Sequence, residues 1–281
     1  MLTDKIIREI GLTQSQALQA VDLSRSSYYY KPMPSANGFK PLNPELCLAI
    51  RQILEGAPVY GYRKVTAVLR ASGWWINHKR VLRYMRELAL LQPRKVKGCG
   101  FTRPVIVYPL TSNTYWEMDL SYVWCGYEQG YLFCVIDCYD RGIPGDYFGD
   151  RCRASEAVLA LEQAVLSRFG GRVPMGQGLI LRVDRGPQFT ARRFREAALS
   201  LGVELEYAGI RCPDDKPYIE SFFSKYKVEE VYRNEYRNIT EAKRHWEIYR
   251  DWYENERVHQ SLNLKTPKKV LEQTQKLALA N

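Results

Sequence analysis

Two acids stand where a chain could hold a metal ion. Leu-Ile-Leu-Arg-Val at 179–183 is a short apolar run that stops at Asp184 and is broken by Gly186 and Pro187. It reads as a strand ending in a carboxylate. Pro217 opens a helical pattern that carries Glu220 in its first turn. A third acid, Asp119, lies in an alternating stretch at 115–123. There Trp116, Met118, Leu120 and Tyr122 face one way and Glu117, Asp119 and Ser121 the other. An unpaired acid flanked by hydrophobic residues is expensive to bury. Glu117 and Asp137 are rival candidates on neighbouring strand positions. Three carboxylates together suit two Mg²⁺ ions about 3.5–4 Å apart, with Mn²⁺ as a substitute, which would activate an attacking oxygen and stabilise a leaving one.

These acids need rigid elements to bring them together. From Tyr108 the periodicity is that of strands at 115–123, 131–139 and 143–148, the last two joined by a tight turn at Asp140-Arg-Gly. A helix is expected at 155–169, with Val158, Leu161, Val165 and Phe169 inward, then a central strand at 179–183. A second helix at 190–201 and a short strand at 203–207 follow. Three strands in a meander, then alternating helix and strand, is the order of an RNase H-like α/β domain with a five-stranded mixed sheet and flanking helices. Its expected bounds are 108–235, with a C-terminal helical extension at 236–281. In that order the first and fourth strands can lie side by side, bringing Asp119 to the end that carries Asp184. The Glu220 helix packs through Ile219, Phe222, Phe223 and Tyr226, leaving Glu220, Ser224 and Lys227 on an adjoining face.

Composition names the kind of substrate. The net charge is +10, and 59–103 alone holds eleven Lys/Arg against one acid, Glu87. A basic module on a nearly neutral remainder points to a polyanion, most simply double-stranded DNA. Within it, helices are expected at 43–55, 63–72 and 77–90. Val65, Val68, Leu69 and Ser72 line the second, and Val81, Leu82, Met85 and Leu88 the third. Lys79, Arg80, Arg83 and Arg86 lie off that stripe. Helix, turn and basic helix is a helix-turn-helix arrangement, here assigned to 34–93. A basic linker at 94–107 follows it, and a small helical hairpin at 1–33 precedes it.

No apolar run approaches the ~20 residues of a membrane span, and the N-terminus lacks a signal-peptide pattern, so a cytoplasmic location is expected. Seven cysteines without a Cys-x-x-Cys pair read as free, mostly buried thiols.

Several motifs in fixed order resemble one family. They are Tyr-Gly-Tyr-Arg-Lys (60–64), Ile-Asn-His-Lys-Arg-Val (76–81), Met-Arg-Glu-Leu (85–88), Asp-Arg-Gly-x-Gln (184–188), Tyr-Ile-Glu-Ser-Phe (218–222), and Glu-Arg-x-His-Gln-Ser-Leu (256–262) followed by Thr-Pro (266–267). With 35 residues between Asp184 and Glu220, the chain resembles the catalytic, second-frame proteins of two-frame bacterial insertion sequences, in the Asp-Asp-Glu superfamily of retroviral integrases. The resemblance implies that Asp119, Asp184 and Glu220 are the metal-binding catalytic residues. It implies DNA contacts at Tyr60, Arg63, Lys64, Lys79, Arg80, Arg83, Arg185, Gln188, Lys225 and Lys227. The implied activity is that of a DNA transposase working as a homo-oligomer on element ends and target, alone or with an upstream-frame protein or as a fusion with it. An RNase H-like nuclease or resolvase, or a DNA-binding regulator with an inactive catalytic domain, are the alternatives. The chain departs from the pattern at Arg182-Val183, where relatives commonly have His-Ser, and at Lys216-Pro217, where Asn-Ala is frequent.

Overall fold

The computed structural model describes residues 11, 13–20, 22, 24–29, 41–92, 107–209 and 215–280. All but the last residue of the expected basic linker lies outside these, as do Cys99 and Cys212. The chain forms two compact units, residues 1–44 and 45–281. In the first, the expected helical pair is present as α1 (Gln14–Ala20) and α2 (Arg25–Tyr29). The Tyr29 hydroxyl donates to Gln14 Oε1 at 3.0 Å, and Ala17 and Leu18 are buried.

The second unit begins with three helices, α3 (Pro44–Gly56), α4 (Tyr62–Ala71) and α5 (His78–Glu87). The Asn77 side chain caps α5 by accepting the Lys79 N–H at 2.9 Å. The buried stripes are shifted from expectation: α4 buries Val65, Thr66 and Leu69, and α5 buries Val81, Tyr84 and Met85. Thr66 tolerates burial because its hydroxyl donates to the Tyr62 carbonyl at 2.6 Å. Tyr84 takes the place expected of Leu82 because Val81, Tyr84 and Met85 fall at i, i+3 and i+4 on one face of the helix, whereas Leu82 is turned off it.

The α/β part is a five-stranded mixed sheet in the order β3-β2-β1-β4-β5. Its strands are β1 (Tyr115–Cys125), β2 (Glu128–Asp137), β3 (Gly145–Gly149), β4 (Ile180–Val183) and β5 (Glu204–Tyr207). The first three form the antiparallel meander, and β4 and β5 run parallel to β1 and to each other. This is the RNase H-like α/β fold. The ladder of β2 stops at Asp137 because that carboxylate turns the chain, with Oδ1 accepting the N–H groups of Tyr139 and Asp140 at 2.8 and 3.1 Å.

The alternation along β1 builds a core on each face of the sheet. On one side Trp116, Met118, Phe133, Leu181 and Val183 pack with α6 (Ala154–Phe169) and α8 (Arg192–Leu201), the latter following the short α7 (Pro187–Thr190). Gly145 lets α6 close on β3: a Cβ there would lie 2.3 Å from the Ala160 carbonyl oxygen. On the other side Val123, Cys134 and Ile136 meet Phe222, Tyr226, Trp246 and Tyr253 of α9 (Pro217–Glu229) and α10 (Ile239–Asn255). Trp246 Nε1 donates to Asp146 on β3 at 2.7 Å, tying α10 across the sheet. α11 (Pro267–Ala280) follows. The five described cysteines are free, and Cys125, Cys134 and Cys138 are buried. Among the described residues no helix is long and apolar enough to cross a membrane.

Candidate active site

The site is built on the β1 face that looks toward α9. Glu117 Oε2 accepts the N–H groups of Tyr218 and Ile219 at 3.0 and 2.9 Å. The first amides of a helix have no partner inside it, and a carboxylate there also complements the positive end of the helix dipole. Glu117 therefore docks the start of α9 on β1. Burial pushes its carboxyl up to about 7, against the pull of those two amide bonds. Glu220 is the next residue after Ile219, so its backbone position is set by this contact.

Asp119 lies two residues further along the same face. The β1–β4 ladder pairs Trp116 with Leu181 and Glu117 with Arg182. Carried two residues past its last pair, that register would set Asp119 opposite Asp184, which follows the end of β4. Burial raises the Tyr122 hydroxyl, and smaller contributions from Asp184 and Asp119 put both acids near it.

Asp184 is held by its own turn, with Oδ1 accepting the Gly186 N–H at 2.7 Å. A Cβ on Gly186 would lie 2.8 Å from that oxygen and 2.7 Å from Gln188 Nε2. Arg182 is buried behind the acids. Its Nη2 meets Glu206 Oε1 at 2.8 Å and its Nη1 donates to the Asp215 carbonyl at 2.7 Å. Arg182 thus joins β4, β5 and the segment leading into α9.

Lys216 enters the site from the start of α9. Its Nζ lies 3.0 Å from Asp119 Oδ1, and the two side chains are 7% and 20% exposed. The same nitrogen donates to the Met118 carbonyl at 3.4 Å. Glu220 is one helical turn on, its N–H donating to the Lys216 carbonyl at 3.1 Å, so both residues belong to one side of α9.

One acid within β1, one just after β4 and a third in the first turn of α9 offer the oxygen donors that a hard divalent cation takes. Among the described residues no three His, Cys, Asp or Glu side chains are gathered closely enough to hold one. The cation that does sit on Asp119 is Lys216.

Both rival acids have structural roles. Glu117 anchors α9, as above. Asp137 Oδ2 accepts Asn113 N–H at 2.6 Å and Trp116 Nε1 at 3.0 Å, while Oδ1 serves the turn after β2. Burial, then the Asp140 charge, raises its carboxyl to about 6.

The expected DNA contacts divide. Arg63, Lys79 and Arg80 are exposed, whereas Arg83 is half-buried, 3.5 Å from Glu87 and with its guanidinium 5.2 Å from the centre of the Tyr84 ring. Arg185 is exposed beside Asp184, and Gln188 is half-buried in the same turn. On α9, Lys227 is half-buried and Lys225 donates to the Ser221 hydroxyl at 2.8 Å. Tyr60 does not fit a DNA contact. It is buried, its hydroxyl accepts the Val258 N–H at 3.1 Å, and its ring packs on Trp252. Lys64 is half-buried: its ammonium sits 4.6 Å from the centre of the Tyr60 ring, and burial, then the Arg257 charge, lowers it to about 7. Tyr60 fastens the helical module to the α/β part.

Sequence reading missed the partner of that clamp. Arg257, fully buried, grips Glu229 at the end of α9 through Nε at 2.7 Å and through Nη2, and the Tyr249 hydroxyl donates to Glu229 at 2.9 Å. Arg257 Nη1 lies 3.3 Å from His259 Nε2. Burial, then Arg257, lowers that imidazole to about 2. The signal was the Arg-x-His spacing in the 256–262 motif, whose alternate residues share one side of an extended segment. Trp75, fully exposed in the turn before α5, also passed unremarked.

Family models match what this geometry describes. The integrase core domain matches residues 109–213 and, through a second model, 201–267, together more than half of the chain. An HTH-like domain matches residues 42–98. The chain belongs to the integrase core domain family, the class of transposases and integrases. Within that class its relatives are proteins of bacterial insertion sequences. The uncharacterized 31.7 kDa protein of insertion element IS407 from Burkholderia multivorans is 28% identical over 276 residues, covering 93% of this chain and 91% of that protein. The putative transposase InsK of IS150 from Escherichia coli is 25% identical over 272 residues, covering 92% and 93%. Among solved structures, a chain of the simian T-cell lymphotropic virus intasome aligns with a TM-score of 0.49 at 14% identity, over 79% of this chain and 74% of that one.

Proposed function

We propose that the chain is a DNA transposase that cuts strands at the ends of its element and joins them to target DNA, a polynucleotidyl transferase of the Asp-Asp-Glu type. The observation that supports this reading is the β1–β4 register, which pairs Glu117 with Arg182 two residues before Asp119 and Asp184, together with the Glu117 contact to the N–H of Ile219, the residue before Glu220. Asp119, Asp184 and Glu220 would hold two Mg²⁺ ions, or Mn²⁺ in their place. When bound, such ions activate an attacking oxygen and stabilise a leaving one.

The remaining roles belong to side chains. Exposed Lys79 and Arg80 on α5, with Arg63 and Arg83, would contact DNA in a major groove as the second helix of a helix-turn-helix does. Arg185 and Gln188, beside Asp184, and Lys225 and Lys227, beyond Glu220, would hold the phosphate backbone across the carboxylates. Handling two ends calls for more than one copy of the chain on DNA, and an upstream-frame protein could complete the assembly. Its place of action would be the bacterial cytoplasm.

A strand-transfer assay with duplex DNA carrying the element's ends and Mg²⁺ or Mn²⁺ tests this. Joined products support the transposase. Cleavage without joining supports a nuclease or resolvase, and DNA binding without cleavage supports a regulator.

A further inference from the structure

Lys216 places an ammonium where a divalent ion would have to bind. Its contact with Asp119, at 3.0 Å, is largely shielded from water on the lysine side. The backbone that carries it is fixed from both directions. Before it, the Asp215 carbonyl accepts from Arg182 and the Asp215 carboxylate accepts the Gly209 N–H at 2.9 Å. After it, Glu117 holds the amides of Tyr218 and Ile219. The ammonium is thus delivered to Asp119 by three separate anchors, and the Met118 carbonyl receives another of its protons.

We propose that Lys216 is a tethered cation that closes the carboxylate site until a divalent ion displaces it. An ammonium and a metal ion cannot use the same lone pairs of Asp119, and they repel each other across the short distance involved. Leaving Asp119 partly buried without any cation would be costly, so the lysine keeps the ion-free site folded. Lysine suits this task better than arginine would. Its charge is a compact point on a flexible four-carbon stem that can swing aside, whereas a guanidinium forms a rigid two-pronged pair. The inference rests on Asp119 being a metal ligand.

Lys216 is a positioning residue in this account, and metal affinity reads it directly. Mn²⁺ binding to the full chain is measured by calorimetry for the wild type and for Lys216→Asn, Lys216→Met, Lys216→Arg and Asp119→Asn, each checked for folding by circular dichroism. The expected result is Mn²⁺ binding at least tenfold tighter in Lys216→Asn and Lys216→Met, with wild-type affinity or weaker in Lys216→Arg. The ion-free melting temperature of the first two should fall, and Mn²⁺ should raise it by more than it does in the wild type. Unchanged or weaker affinity in both uncharged variants, with binding lost in Asp119→Asn, would overturn the proposal and leave Asp119 a ligand. Wild-type affinity in Asp119→Asn would overturn both.

Discussion

Glu117 Oε2 accepts the backbone N–H of Ile219 at 2.9 Å, one residue before Glu220. A buried acid on a central strand thereby fixes where a helix, and the acid it carries, meets the sheet. Glu117→Ala would strand two amides at the start of α9 and should lower the unfolding free energy by about 1–3 kcal/mol. Glu117→Gln keeps a carbonyl acceptor and should recover most of that. Urea denaturation of both variants checks this, and DNA joining should fall in the same order. Full stability in Glu117→Ala would mean that other contacts hold the helix.

Gly186 leaves room for the side-chain ends of Asp184 and Gln188, and its φ of −60° is open to any residue. A methyl group there would press on Asp184 Oδ1 and on Gln188. Gly186→Ala should therefore displace Asp184 and reduce cleavage on the order of 10²-fold, while its melting temperature changes little. A cleavage assay beside thermal unfolding separates the two effects.

Tyr60 and Lys79 make opposite predictions. Tyr60→Phe removes the acceptor of the Val258 N–H and should cost about 1 kcal/mol of stability, with DNA affinity and its salt dependence unchanged. Lys79→Ala, on the exposed side of α5, should leave stability alone and reduce the slope of log affinity against log salt by about 0.9 for a lost phosphate contact. Fluorescence anisotropy at several salt concentrations reads both.

Burial pushes the Glu254 carboxyl up to about 7, opposed by the Ile143 N–H it accepts. Its folded form keeps a proton that the unfolded chain releases near pH 4.5. Its contribution to stability is therefore full below that pH and is lost as pH rises toward 7. Glu254→Gln keeps the carbonyl acceptor and removes the titration. The stability of the wild type relative to this variant should fall by on the order of 3 kcal/mol between pH 4.5 and 7 and stay level above. Denaturant curves across that range check it.

The strand order, the two outer core faces and the first turn of α9 were legible because each is written in local periodicity and turn residues. The pairing of β1 with β4 followed from that order. What could not be read were pairings made across the chain. Glu117 reaches residues about a hundred positions away, and Tyr60 meets Val258 nearly two hundred away. Nothing in the spacing of a motif distinguishes a buried anchor from a ligand or a phosphate contact, so Glu117 stood as a rival to Asp119 and Tyr60 as a DNA contact. Lys216 was visible only as a departure from a pattern. Its meaning required the Asp119 oxygen beside it.

The central claim is that three carboxylates on β1, after β4 and on α9 form one metal-dependent site for cutting and joining DNA. The most direct measurement compares wild type with Glu220→Gln in a joining assay on element-end DNA with Mn²⁺, alongside end binding. The variant should bind the ends with unchanged affinity and lose both cleavage and joining by on the order of 10³-fold or more. Cleavage and joining at the wild-type rate would contradict the account.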